Sequence, residues 1–174
     1  MSIAPVLLQR CSQTNAMEII AAFRLFFEKE TPDESVSHLL GQHLTRFLAW
    51  NDQVSNRLLD HLLRCIPFLP VQDVVSAVLD ASSPNPSQQQ AFVDCLVALF
   101  NSAAANPQRM EAVWGLITCK QSNQVVLRAL EKWGSSSAGD NEIIAGMVWK
   151  SLETKSLSVE LLVPCIVFCF YFIV

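Results

Sequence analysis

Apolar residues recur at every third or fourth position along most of this chain, a pattern that predicts amphipathic α-helices. Stripes of this kind run forward from Leu58, Phe92 and Met110. Another stripe consists of Val36, Leu39, Leu40, Leu44, Phe47 and Leu48. No segment alternates apolar and polar residues at a two-residue period, as a half-buried strand would. The pattern therefore predicts an all-α protein.

Proline and small polar residues mark the predicted helix boundaries. Thr31 and Glu34 form a capping-box pattern with Pro32 at the first helical position, so Thr31 is predicted to cap a helix. Asn106, followed directly by proline, predicts a second helix start of the same kind. Gly134 fits the position just past a helix C-terminus. These signals divide the chain into helices joined by short loops.

One early segment, AMEIIAAFRLFFEKE, is apolar on two faces. Phe23 and Phe26 lie on one face of the predicted helix, and Ile20 and Phe27 lie on another. A helix with so narrow a polar side is expected to be covered by neighbours on more than one side.

The predicted helices match one another at a regular spacing. The segment LLDHLLRCI, from Leu58, aligns with FVDCLVALF, from Phe92, at an offset of 34 residues. This offset places Leu62 over Leu96, and a second shift of 34 places Leu96 over Leu130. Helix starts recur at a similar interval of 34 to about 38 residues.

With these paired stripes and the Thr-Pro and Asn-Pro helix starts, residues 15–154 resemble HEAT or armadillo-like helical repeats. They lack the recurrent Asp and Arg pair of the HEAT pattern. The resemblance implies stacked antiparallel helix hairpins in a right-handed α-solenoid, an armadillo-like superhelix. It also implies a non-enzymatic scaffold that binds a protein partner on its concave face. Residues 1–154 would form the helical-repeat domain, and 155–174 a separate apolar segment.

Both ends of the sequence are apolar, whereas the end units of a helical-repeat stack need polar faces. Residues 161–174, LLVPCIVFCFYFIV, carry no charge but are fewer than the about 17–25 residues that span a bilayer. Three interpretations remain open: a buried last helix, a marginal membrane anchor, or the end of a truncated chain. We expect this run to drive self-association, membrane binding or aggregation. The chain would then be part of a larger protein or complex, or a short isoform.

Composition limits the kinds of partner that the chain is expected to bind and the compartment in which it is expected to occur. The formal net charge is −4 and only 16% of residues are charged, against about 25% in typical soluble proteins. The 12 basic residues are scattered singly, so no direct nucleic-acid binding is expected. The six cysteines are also scattered, and no secretory signal precedes them. An intracellular protein, cytoplasmic or nuclear, is predicted, with membrane association through residues 161–174 as the alternative.

The sequence contains few side chains in patterns typical of a catalytic or metal-binding site. His61 and Cys65 have the four-residue spacing of two helical metal ligands, but no second Cys/His pair accompanies them. Cys165 and Cys169 share that spacing within the apolar run, where packing is the preferred interpretation over palmitoylation or metal binding. No phosphate-binding loop, dinucleotide fingerprint or nucleophile elbow occurs. We therefore predict no catalytic residue, no cofactor and no metal site.

The remaining candidate is a partner-binding face on the second helices of the hairpins. Its predicted members are the polar positions His38, Gln42, Arg46, Asp73, Arg109 and Lys150.

Overall fold

The structure is a computed structural model that describes residues 3–30, 33–50, 56–79, 86–118 and 124–135, together with Gly146 and Trp149. Within these residues every regular element is helical and no strand occurs, which confirms the all-α prediction. The helices are α1 (Ala4–Gln9), α2 (Ala16–Lys29), α3 (Glu34–Gln42), α4 (Leu44–Ala49), α5 (Asn56–Cys65), α6 (Val71–Leu79), α7 (Pro86–Ala104), α8 (Pro107–Thr118) and α9 (Gln124–Ser135). A short 3₁₀ turn, Ile66–Phe68, follows α5.

Asn106 caps α8 as predicted, because its Oδ1 accepts the backbone N–H of Arg109 at 3.1 Å. The predicted cap of α3 is wrong by two residues. The cap is Asp33, whose Oδ1 accepts the backbone N–H of Ser35 at 3.2 Å and whose Oδ2 accepts the Ser35 hydroxyl at 2.9 Å. These bonds lower the pKa of the Asp33 carboxyl. A carboxylate at a helix N-terminus also faces the positive end of the helix dipole, an advantage that threonine lacks.

Two other helix boundaries differ from those that the sequence predicts. The stripe from Val36 to Leu48 is divided at His43, whose N–H bonds to the Leu40 carbonyl at 3.1 Å in a tight turn between α3 and α4. Helix α9 continues through Gly134, which is helical and buried, so this glycine does not end the helix. A helical glycine costs only about 1 kcal/mol relative to alanine, which the packing of the last turn can offset.

The helices pack in two rows. Helix α2 packs against α5, α5 against α7, and α7 against α9; these four form the first row. Helices α3 and α4 pack against α6, and α6 packs against α8; these form the second row. Helices α4, α6 and α8 also contact α7, which therefore joins the rows at the centre of the described core.

Helices α7 and α9 of the first row run parallel. Along α7 and α9, Gln89 bonds to Arg128 at 3.3 Å and Asp94 pairs with Lys132 at 2.7 Å, so contacts advance together along both helices. Further along the same two helices, the ring centroids of Phe100 on α7 and Trp133 on α9 lie 5.1 Å apart, so the contacts keep the same order.

The predicted stripes supply the core. Leu62 and Leu96, which align in the proposed repeat, are 1% and 0% exposed. Trp133 is also buried, and its indole N–H donates to Asn101 Oδ1 at 2.9 Å. Trp149, by contrast, is 65% exposed.

Helices α3 and α6 cross closely at Gly41. A Cβ atom placed on this buried glycine would lie 2.7 Å from Asp73 Cβ, well inside van der Waals contact. Only a glycine lets the two helices approach this far, and the approach brings the polar side chains of α3 next to Asp73.

Candidate protein-binding surfaces

Three of the predicted face residues meet where α3 crosses α6. His38 Nδ1 lies 2.6 Å from Asp73 Oδ2, and Gln42 Nε2 lies 2.9 Å from His38 Nε2. The carboxylate can only accept, so His38 Nδ1 donates to it. In the neutral ring Nε2 then accepts the Gln42 amide N–H, which satisfies both imidazole nitrogens. We call these three residues the α3–α6 polar chain.

The α3–α6 polar chain holds an exposed ring in a fixed orientation. The His38 side chain is 53% exposed, whereas that of Asp73 is 11% exposed. In a hydrolytic triad the nitrogen facing away from the carboxylate would meet a hydroxyl or thiol. Here that nitrogen meets the amide of Gln42. The Gln42 side chain therefore occupies the place beside this nitrogen that a nucleophile would take.

Arg46, a fourth predicted member of the face, points inward. Its Nη2 donates to the carbonyls of Leu8 at 2.9 Å and Cys11 at 3.2 Å, at the end of α1. The guanidinium also lies over the rings of Phe47 and Trp50, 5.6 and 4.9 Å from their centroids. Its side chain therefore holds α1 against α4 and offers little to a partner.

Arg109 also donates to main-chain carbonyls, in its case at the 3₁₀ turn that follows α5. Its Nη2 donates to the carbonyls of Ile66 at 3.2 Å and Leu69 at 2.9 Å, and its Nε donates to Ser102 Oγ at 3.3 Å. Burial lowers the pKa of Arg109, although a guanidinium keeps its charge in proteins. The sixth predicted residue, Lys150, lies outside the described residues.

Replacing Arg109 with methionine is expected to lower the free energy of unfolding by about 1–3 kcal/mol, because two partly buried carbonyls lose their donor while the apolar stem is kept. Chemical denaturation would measure the change. The control is Arg128→Met, which removes an exposed guanidinium with one 3.3 Å bond to Gln89 and should change stability by less than about 0.5 kcal/mol. Equal effects of the two substitutions would contradict the assigned role of Arg109.

An apolar groove between α1, α2 and α3 was not specified by the sequence. It has a volume of about 170 Å³ and is lined by Ile3, Ala4, Leu7, Ala22, Phe23, Phe26 and Val36. Exposed apolar side chains surround it, since Ile3 is 69%, Val6 47%, Leu25 52% and Phe26 38% exposed. We call the groove and these side chains the α1–α2 surface.

The α1–α2 surface bears on two predictions. Helix α2 was expected to be covered on more than one side, and both predicted apolar faces contain buried residues, Phe23 on one and Phe27 on the other, whereas Leu25 and Phe26 remain open to solvent. Helix α5 covers the side that carries Ile20 and Phe27, whereas α1 is only six residues long and cannot cover the rest. The N-terminal apolar face that the sequence predicts is present, with Ile3 as its most exposed member.

The cysteines of the described residues, Cys11, Cys65 and Cys95, are buried. Burial raises the pKa of each thiol, that of Cys65 to about 12, so they stay protonated at neutral pH. His61 Nδ1 accepts from Arg24 Nη1 at 3.3 Å. No cluster of three or more metal-ligating side chains occurs in the part of the chain that the structure describes.

No helix within the described ranges combines the length and the apolar character needed to cross a bilayer. The apolar run at residues 161–174 lies outside those ranges, so membrane attachment through it stays a prediction.

Comparison of the chain with protein-family profiles, curated protein sequences and solved structures gave no match.

Proposed function

We propose that this chain is a non-enzymatic helical-repeat scaffold, similar in architecture to HEAT or armadillo repeats, that binds a protein partner on its second row. It would act within a larger protein or complex. The observation that carries the proposal is the two-row packing, in which α2 and α5, α7 and α9, and α3 and α6 make contacts at similar separations in the sequence.

That separation supports a repeated unit. Arg24 and His61 bond across α2 and α5 at a separation of 37 residues, and Asp94 and Lys132 across α7 and α9 at 38. His38 meets Asp73 across the second row at 35 residues. These separations are close to the interval of 34 to about 38 residues between the predicted helix starts. A chain built from one such unit extends by adding helices to both rows, which leaves a long face on each row.

The second row offers a polar face for docking. The α3–α6 polar chain fixes His38 and Gln42 before any partner arrives, so little side-chain entropy is lost on binding. Exposed polar residues continue along the row at Gln72 on α6 and at Gln108 and Glu111 on α8. This surface presents both hydrogen-bond donors and hydrogen-bond acceptors, and its named residues form no basic cluster. These features favour a protein over a nucleic acid as the partner.

Capture of binding proteins from cells with three forms of the chain tests this proposal. The double variant His38→Ala/Gln42→Ala removes the exposed end of the polar chain, and Gln89→Ala/Arg128→Ala is the matched change on the first row. A partner of the second row should lose about tenfold or more of its recovery with the first variant and none with the second, since about 1.4 kcal/mol corresponds to tenfold in affinity.

Purified partner and chain would then be titrated to confirm that the captured protein binds directly. Identical recovery of every protein by all three forms would contradict the proposed face. A hydrolytic or transfer activity that His38→Ala abolishes would contradict the non-enzymatic part of the proposal.

A further inference from the structure

We propose that the protonation state of His38 determines which hydrogen-bonding group Gln42 presents to a partner on the second row. Gln42 would present its amide oxygen when the ring is neutral and its amide N–H when the ring is charged. This inference rests on the proposed function, because it concerns the regulation of the same polar face. Binding at that face would therefore depend on pH.

The neutral state of the α3–α6 polar chain fixes the amide of Gln42 in one orientation. Asp73 Oδ2 lies 2.6 Å from His38 Nδ1 and can only accept, so the single N–H of the neutral ring stays on Nδ1. Nε2 is then an acceptor, and Gln42 must turn its N–H toward it across the 2.9 Å contact. The oxygen of this exposed amide faces away from the ring, and no donor among the described residues bonds to it. It is therefore available to a partner.

Protonation of the ring reverses this orientation. An imidazolium donates from both nitrogens, so Nε2 can no longer accept the amide N–H of Gln42. Rotation of the terminal amide by about 180° brings its oxygen to Nε2 and turns its NH₂ group outward. Asp73, whose side chain is only 11% exposed, accepts from Nδ1 in both states, so the ring stays in place while the amide turns.

The charged groups around His38 come from few positions. Among the helices that pack most against α3, α1 carries no charged residue and Asp73 is the only one on α6. On α4, Arg46 donates to main-chain carbonyls at the end of α1. On α3 itself, Glu34 lies one helical turn before His38, and His43 follows at the junction with α4, where burial and Arg46 lower its pKa. Asp73 is therefore the charged group in direct contact with the ring.

The two states favour opposite groups on a partner. A backbone N–H or a lysine ammonium would pair with the Gln42 oxygen in the neutral state. A backbone carbonyl or a carboxylate would pair with the outward amide in the charged state, where the imidazolium adds attraction for an anion. A partner matched to one state faces an unmatched group in the other, and leaving a buried polar group without its bond weakens binding.

Nuclear magnetic resonance of the full chain, labelled with ¹⁵N, tests the coupling without a partner. At about pH 8 the neutral ring should carry its proton on Nδ1, and a scalar coupling across the hydrogen bond should join His38 Nε2 to Gln42 Nε2. At about pH 5 both ring nitrogens should be protonated and this coupling should be lost, because the amide nitrogen has turned away. A coupling that is absent from the neutral ring, or that persists in the charged ring, would overturn the proposal.

The variant Gln42→Glu gives a second test that does not depend on this coupling. Its carboxylate can only accept, so the midpoint of the His38 titration should rise by about one pH unit. The control is Gln108→Glu, which adds the same charge at an exposed position of α8 and should leave that midpoint unchanged. Equal effects of the two substitutions would show that Gln42 does not bond to the ring and would overturn the proposal.

Titration of a purified partner separates this inference from the proposed function. The affinity of a partner that binds the second row should change at least about tenfold between the neutral and the charged state of His38, and His38→Gln, which cannot titrate, should remove that dependence. A dependence that persists with His38→Gln would overturn the regulatory role. If the coupling changes with pH but His38→Ala/Gln42→Ala loses no partner, the proposed face is overturned and the coupling between His38 and Gln42 is supported.

Discussion

Replacing either Leu62 or Leu96 with alanine is expected to lower the free energy of unfolding by about 2–5 kcal/mol. Leu62 lies on α5 and is 1% exposed, and Leu96 lies on α7 and is 0% exposed. Each substitution removes buried methyl groups and leaves a cavity that close-packed neighbours cannot fully refill. Because the two positions align in the proposed repeat, comparable losses are expected at both.

Urea denaturation followed by far-ultraviolet circular dichroism measures these losses. The control is Leu25→Ala, the same chemical change on an exposed helical site, measured at a protein concentration that keeps the chain monomeric. It should change the free energy of unfolding by less than about 0.5 kcal/mol. If Leu62→Ala and Leu96→Ala also stay within about 0.5 kcal/mol of the unsubstituted chain, both stripes are on the surface and the repeat register is wrong.

The substitution Gly41→Ala is expected to destabilise the protein by about 1–3 kcal/mol, although alanine is the better helix former. The added methyl group would lie 2.7 Å from both Cβ and Oδ2 of Asp73. The Cβ atom belongs to the rigid base of the side chain, so α3 and α6 must move apart to admit the methyl. The same movement would break the bond between His38 and Asp73.

A second helical glycine provides the control, because its replacement by alanine should change the stability in the opposite direction. Gly115 on α8 is exposed, and a Cβ atom there would meet no atom within 4 Å apart from its chain neighbours and the nearby backbone of its own helix. Gly115→Ala should therefore raise stability by about 0.5–1 kcal/mol. Thermal denaturation of the two variants would give shifts of opposite direction. A stabilising Gly41→Ala would mean that the two helices do not cross at this point.

The periodicity of apolar residues was sufficient to predict the helical class and much of the core. Leu58, Leu62 and Ile66 of the stripe that begins at Leu58 are buried as expected, and Asn106 caps α8 as its sequence context predicts. These features are local, because a helix start depends on a few neighbouring residues and a buried face depends on spacing within one helix. The cap at Asp33 was missed because Thr31 offered a competing pattern two residues earlier.

Contacts between distant parts of the chain were beyond prediction from one sequence. Arg46 and Arg109 occupy polar positions of amphipathic helices, where a charged residue normally faces water. Their partners are main-chain carbonyls 35 to 43 residues away, and a carbonyl has no sequence signature. The groove between α1, α2 and α3 was missed for a similar reason, since its shape depends on the length and placement of α1.

The measurement that tests the central claim most directly is the distance between the two ends of the first row. Nitroxide labels would be attached at Lys29 on α2 and Glu131 on α9, which are both exposed. Pulsed electron–electron double resonance would measure the distance between the two labels. In an open row, three helix-to-helix steps of about 8–10 Å each separate α2 from α9, so a distance of about 24–30 Å is predicted. Labels at Gln90 on α7 and Glu131 provide the comparison across a single step. An α2–α9 distance as short as that single step would contradict the open two-row scaffold and indicate a closed helical bundle.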